Sequence, residues 1–140
     1  MTLIVPGSLV HVAGAKEDAY RLLEKWSRAF ADADVDAITK LYAPDATMIG
    51  SAKVVMTKSE QIRQYFDVAL NKNRPRTATL NSSEASVVDD STVVIAGMDT
   101  ITSSKDGQTT AGTGRVTFVV AKRGSDWKIV HLHRSPSPAS

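Results

Sequence analysis

The stretch Trp127-Lys-Ile-Val-His-Leu-His-Arg-Ser135 decides how the rest of the chain is interpreted, because it places histidines, an arginine and a serine on one predicted strand. Side chains alternate between the two faces of a strand. One face should therefore carry Trp127, Ile129, His131, His133 and Ser135. The other should carry Lys128, Val130, Leu132 and Arg134. Each face mixes apolar and polar residues, which predicts a strand that is covered on both sides and whose polar groups are paired.

Three more strands are predicted upstream of this stretch, over residues 77–88, 92–103 and 108–122. Turn residues separate them: Asp89-Asp-Ser91, Asp106-Gly107 and Gly124-Ser125. An Asp-Gly pair between two apolar runs favours a tight hairpin turn. Together the four strands predict an antiparallel meander at the carboxyl-terminal end of the chain.

Helical patterns come first in the chain. An apolar stripe at i, i+3 and i+4 spacing predicts a helix over residues 16–33, and Asp34 is expected to cap a short second helix. Pro44-Asp45 should end that helix and start a short strand over 46–49. Thr57-Lys-Ser-Glu60 fits a capping box for a third helix that ends near Asn71. Helices followed by a sheet predict an α+β fold, with residues 16–138 as a single domain.

Composition narrows the function classes. The 140-residue chain has no cysteine, which excludes disulfides and thiolate metal sites, and its formal net charge is only +2. We expect no nucleic-acid partner, and we interpret the basic run from Lys72 to Arg76 as a solvated loop. No apolar segment approaches the roughly 20 residues that span a bilayer, so no membrane association is expected.

Residues 1–15 are interpreted as an amino-terminal arm or tail. Ala13-Gly14-Ala15 resembles a small-residue cleavage site, but no basic residue precedes the apolar run and Pro6 interrupts it. An ordered or swapped arm, or a loose tail, is favoured over a cleaved signal, which stays open. The expected compartment is the cytoplasm.

Three stretches give the chain a family resemblance. They are the segment from Trp26 to Asp36 continued by Leu41 to Ala46, the segment from Thr57 to Phe66, and Arg115-Val-Thr-Phe118 followed by the stretch from Trp127 to Ser135. In this order they resemble the nuclear-transport-factor-2-like superfamily, including its SnoaL-like members. The third is similar to the association domain of calcium/calmodulin-dependent protein kinase II and its free-standing bacterial relatives. The resemblance implies a cone, in which a curved antiparallel sheet wraps around three helices.

The resemblance also implies a ligand pocket. In the association domain, arginines converge on small carboxylates, and Arg115 and Arg134 fall on two of those positions. Asp99 falls on a third, with reversed charge, and Ile62 replaces a pocket histidine. We therefore expect a small polar or weakly acidic ligand held by Arg115 and Arg134, with Asp99 orienting them. A closed structural network of the same three residues is the alternative.

Other residues extend this hypothesis. Trp26, Tyr42 and Tyr65 are candidate ligand contacts at the mouth of the cone, with plain core packing as the alternative. His131 and His133 are expected on the outer face of the sheet. That face should also carry Val116, Phe118 and Val120. The need to cover it predicts a homodimer through the sheet.

Three function classes stay open. The first is a self-associating domain that binds a small molecule. The second is a hydrolase, isomerase or accessory oxidoreductase with Asp99 or His131 as acid or base. The third is a pure oligomerisation module.

Two further observations limit the chemistry. The position of the general base in related isomerases falls near Gly50, and no carboxylate lies between Asp45 and Glu60. No metal is expected, because His131 and His133 have only His11 as a further histidine. No cofactor is expected either, because the chain has neither a glycine-rich phosphate loop nor a dinucleotide fingerprint.

Overall fold

The computed structural model describes residues 14–138, which form three helices and five strands. The helices are α1 (Ala15–Ala31), α2 (Val35–Lys40) and α3 (Ser59–Leu70). The strands are β1 (Tyr42–Ile49), β2 (Arg76–Asp89), β3 (Thr92–Lys105), β4 (Gln108–Arg123) and β5 (Asp126–Pro136). The predicted α+β class is confirmed. Most of the predicted arm, residues 1–13, lies outside the described residues.

The five strands form one sheet in the order β1-β5-β4-β3-β2. The predicted meander from β2 to β5 is antiparallel throughout, but β1 runs parallel to β5. The last strand thus returns beside the first one in the chain. The sheet remains open because β1 and β2 are its two edges.

Strand β1 begins earlier than predicted. Pro44 was expected to precede the strand, yet it lies inside β1, within the segment where pairing with β5 is irregular. Proline is tolerated there because β1 is an edge strand. It has a neighbouring strand on one side only, so the missing backbone N–H group of Pro44 need not remove a hydrogen bond between strands.

The predicted helix caps agree with the structure at α2 and are displaced by one residue at α3. The carboxylate of Asp34 accepts a hydrogen bond from the backbone N–H of Ala37 at 3.0 Å, so its predicted role as the cap of α2 is confirmed. At α3, the side-chain oxygen of Gln61 accepts from the backbone N–H groups of Thr57 and Lys58, at 2.8 and 3.1 Å. The prediction gave this role to Glu60. The helix begins at Ser59, which moves the capping frame forward by one residue.

The core lies between the helices and the inner face of the sheet. Four aromatic rings from three elements organise it: Trp26 and Phe30 of α1, Phe66 of α3 and Phe118 of β4. The Trp26 ring stacks on Phe30 at 5.2 Å between centroids and meets Phe118 edge-on at 5.5 Å. Such pairs add to the stability gained from apolar burial. None of the helices within residues 14–138 is long and apolar enough to cross a membrane.

An irregularity in β5 changes which side chains face the core. His131 pairs with Val119, whereas Ile129 pairs with Val120, so one extra residue of β5 is accommodated between them. As a result, Ile129 and Leu132 are both buried, at 0% and 2% exposure. Simple alternation had placed Ile129 with the histidines, and that prediction was wrong.

The prediction of which side chains face outward was also wrong for β4. Its apolar residues were predicted to lie on the outer face, but all three are buried in the core: Val116, Phe118 and Val120. Arg115, one residue out of phase, is exposed instead. Because the apolar run of β4 is the larger hydrophobic surface, it takes the inner face.

The displaced pairing in β5 predicts a specific order of stabilities. Ile129→Ala should lower the free energy of unfolding by about 2–5 kcal/mol, because it leaves a cavity in the core. Val130→Ala, the neighbouring and only half-buried position, should cost less than half as much. Urea unfolding at equilibrium measures both values. A larger loss for Val130→Ala would contradict the observed register.

Candidate functional site

A cavity of about 260 Å³ lies between the inner face of the sheet and helices α1 and α3. Its helical wall is aromatic and comes from Trp26, Phe30, Tyr65 and Phe66. Its sheet wall carries three charged residues, Arg76, Asp99 and Arg134. Apolar walls with a few convergent polar groups are typical of small-molecule sites.

Asp99 and Arg134 form an ion pair within this cavity. The Nε of Arg134 donates to Asp99 Oδ1 and Oδ2 at 3.0 and 2.9 Å, and Nη2 donates to Oδ1 at 2.8 Å. The Asp99 side chain is 10% exposed and that of Arg134 is 23% exposed. Charge-assisted hydrogen bonds of this kind fix both partners in one orientation. Asp99 accepts hydrogen bonds along the Nε–Nη2 edge of Arg134. Nη1 is therefore the guanidinium nitrogen that remains free to donate to another acceptor.

Gly114 makes room for this ion pair. It lies opposite Asp99 in the pairing of β3 with β4 and is buried. A Cβ atom at this position would lie only 2.4 Å from Nη2 of Arg134. The guanidinium group therefore lies directly over the backbone of β4, which only glycine permits.

Arg76 is the site residue that the sequence analysis missed. The run from Lys72 to Arg76 was interpreted as a solvated loop, and residues 72–75 are indeed exposed. Arg76 instead opens β2 and turns inward, in phase with Ala78 and Leu80. Extending the strand alternation one residue backwards from Ala78 would have found it.

The guanidinium group of Arg76 is only partly satisfied. It lies over the ring of Phe30, at 5.6 Å from Cζ to the centroid, and its Nη1 donates to the backbone carbonyl of Ala69. Its Nε is buried and has no hydrogen-bond partner within residues 14–138. A buried donor without a partner is costly, and a small movement of the guanidinium group towards an acceptor in the cavity would relieve that cost.

Arg115 does not join this site. It pairs with Met98 of β3 and Ser135 of β5, whereas Arg134 pairs with Val116. Cross-strand partners share a face, so Arg115 lies on the outer face of the sheet, opposite to Asp99 and Arg134. The expected convergence of Arg115 and Arg134 was wrong because the apolar residues of β4 took the inner face.

The three aromatic candidates separate into two groups. Trp26 and Tyr65 line the cavity, but Tyr42 does not. Tyr42 is buried below it, and its hydroxyl accepts a hydrogen bond from the indole Nε1 of Trp26 at 3.0 Å. Burial raises the pKa of Tyr42 above its ordinary value, so this phenol stays protonated.

His131 does not line the cavity, whereas His133 lies where the edge of the cavity meets the hollow on the outer face of the sheet and lines both. Nδ1 of His131 is hydrogen-bonded to the hydroxyl of Thr47 at 2.7 Å, and His133 is exposed. His131 and Asp99 therefore do not share a site, which separates the two candidate catalytic residues. His11 lies outside the described residues.

Residues 20–140 match the model of the SnoaL-like domain. A Xanthomonas campestris protein of known structure, named for the calcium/calmodulin-dependent protein kinase II association domain, is 30% identical, with 91% of each chain covered and a TM-score of 0.84. No curated protein gave a significant match.

Two more solved structures share the fold at lower identity. One is a nuclear-transport-factor-2-like superfamily protein from Salmonella enterica, with 22% identity, 90% of this chain and 93% of that chain covered, and a TM-score of 0.78. The other, from Streptomyces avermitilis, is named as a dehydratase of the same family, with 14% identity, coverage of 89% and 97%, and a TM-score of 0.80. At these identities the likeness extends to the fold alone.

The contact between Gly114 and Arg134 predicts a position-specific effect of adding one methyl group. Gly114→Ala should destabilise the protein by about 1–3 kcal/mol, because the new Cβ displaces the guanidinium group. Gly112→Ala, two residues away in the same strand, meets no atom within 4 Å and should be neutral or slightly stabilising. Thermal unfolding distinguishes the two. Equal effects would mean that the ion pair does not depend on the glycine.

Proposed function

Because the chain belongs to the SnoaL-like domain family of the nuclear-transport-factor-2-like superfamily, we propose that its cavity binds one small polar or weakly acidic molecule. The resemblance drawn from the sequence is confirmed at the level of the family and the fold. The observation that carries the proposal is the buried Nε of Arg76, an unpaired donor beside a cavity with aromatic walls.

Charge favours an anion over a cation. The guanidinium groups of Arg76 and Arg134 and the carboxylate of Asp99 leave the cavity with one net positive charge. An anionic group near Arg76 could accept hydrogen bonds in a region of low dielectric constant, where they are stronger than in water. Guanidinium groups match carboxylates in geometry as well as in charge.

Size favours a small molecule. Sites for drug-sized ligands usually measure about 300–1,000 Å³. At about 260 Å³ the cavity lies just below that range, so a compact acid or carbonyl compound fits it best.

Asp99 is better suited to orientation than to proton transfer. Both of its oxygens accept hydrogen bonds from Arg134, so the carboxylate holds the guanidinium group instead of facing the ligand as a free base. The second candidate, His131, is on the other side of the sheet. For these reasons we favour binding over the enzyme hypothesis.

The ligand proposal predicts that Arg76, and not Arg115, is needed for binding. Arg76→Gln should weaken the binding of a small carboxylate such as butyrate by about 10- to 100-fold, because a hydrogen bond to a charged group is lost. Arg115→Gln removes the same charge from the outer face and should leave the affinity unchanged. Isothermal titration calorimetry measures both, with butyramide as the uncharged ligand control.

Two results would count against this assignment. Equal losses in Arg76→Gln and Arg115→Gln would point to general electrostatic attraction instead of a defined site. Equal affinities for butyrate and butyramide would remove the anion preference.

We also propose that the chain self-associates through the outer face of its sheet. A shallow hollow there is formed by β2, β3, β4 and β5, and it contains Met98, which is 44% exposed. Glu84 and Arg115 line the same hollow. Opposite charges on one surface suit a two-fold interface, in which each residue meets its complement on the other copy.

Self-association predicts that a charge at Met98 separates the subunits. Met98→Lys should lower the sedimentation coefficient to that of a monomer at micromolar concentration, because the interface would have to take a charged ammonium group out of water in place of an apolar side chain. Val88→Lys, an exposed valine of β2 outside the hollow, is the matched control. A wild-type protein that already sediments as a monomer would refute the proposal.

A further inference from the structure

A second and larger depression adjoins the cavity from outside. It measures about 790 Å³ and lies between α3 and residues 51–56, the segment that follows β1. Val54 and Val68 line it, and each is 57% exposed, although both are large apolar residues. Polar residues surround this apolar strip, among them Glu60, Gln64 and Lys72. We call this depression the outer groove.

The outer groove and the cavity are continuous. Four residues line both of them: Ser51, Tyr65, Ala69 and Arg76. Arg76 therefore lies at the junction. An acceptor bound to its guanidinium group would be within reach of both spaces.

Tyr65 separates the two spaces at this junction. Its hydroxyl lies next to Gly50, where a Cβ atom would be 2.8 Å away, and it contacts Ser51. The hydrogen bonds to the backbone N–H group and the hydroxyl of Ser51 are long, at 3.5 and 3.3 Å. Hydrogen bonds of this length are weak, so moving the phenol aside gives up little stability.

We infer that the outer groove binds the apolar body of an elongated molecule whose acidic head group lies in the cavity at Arg76. This inference rests on the proposed function and adds a class of ligand to it, the amphipathic carboxylic acids. The cavity alone is too small for such a molecule, whereas the cavity and the groove together exceed the lower limit of about 300 Å³ for larger ligands.

The arrangement of charge supports this orientation. The head group would lie at the guanidinium group of Arg76, and the chain would pass Tyr65 and Ala69 towards Val68. An apolar chain gains affinity by covering the two exposed valines, and it requires no polar partner along that path. The polar rim of the groove stays in contact with water.

The experiment measures affinity as a function of chain length. Straight-chain carboxylates from acetate to octanoate are titrated into the wild type and into Val68→Ser. In the wild type, each methylene beyond those that fit the cavity should strengthen binding by about twofold to fourfold. Val68→Ser should reduce that increment and leave the affinity for acetate unchanged. Val88→Ser, an exposed valine away from the groove, is the control and should behave as the wild type.

The outcomes distinguish this inference from the proposed function. If short acids bind but affinity does not rise with chain length, the groove does not bind the ligand, and the inference fails while the proposed function stands. The same conclusion follows if the increment persists in Val68→Ser. If neither acetate nor octanoate binds, the proposed function itself fails.

Discussion

Strand β5 has to pair with neighbours that run in opposite senses, and most of the site depends on how it does so. It is parallel to β1 and antiparallel to β4, and its pairing with β4 slips by one residue after Ile129. Because of that slip, Ile129 and Leu132 are both buried in the core. Arg134, in phase with Leu132, then reaches Asp99 on the inner face. Without the extra residue, either Ile129 or Arg134 would face outward.

The two arginines of the cavity differ in how their charges are compensated. Taking Arg134 out of water is unfavourable unless a partner compensates it, and Asp99 does so through three hydrogen bonds. Gly114 supplies the space for the guanidinium group. Arg76 differs, because its partners are a carbonyl oxygen and an aromatic face, which leave its charge without a counter-ion within the described residues. The cavity therefore combines one arginine that is neutralised by a carboxylate with one whose charge has no counter-ion among the described residues.

The sequence predicted the class of fold well and the site only in part. Apolar periodicity located α1 and α3, and the Asp-Gly turn located the hairpin before β4, because these features are local. The faces of β5, and its register with β4, could not be predicted by alternation, since a slip in register is decided by the neighbouring strands. Arg115 was misplaced for that reason. Arg76 was missed because its basic neighbours are exposed, which concealed the start of a strand.

The position of Trp26 has a consequence for observing the protein. The chain has two tryptophans, and Trp26 lines the cavity whereas Trp127 lies in β5 outside the cavity lining. The Trp26 indole is packed against Phe30, hydrogen-bonded to Tyr42 and 8% exposed, so only a small part of the ring faces the cavity. Any molecule that displaces water from the cavity changes the polarity beside this ring. The intrinsic fluorescence of Trp26 should therefore respond to whether the cavity is filled, without any added label.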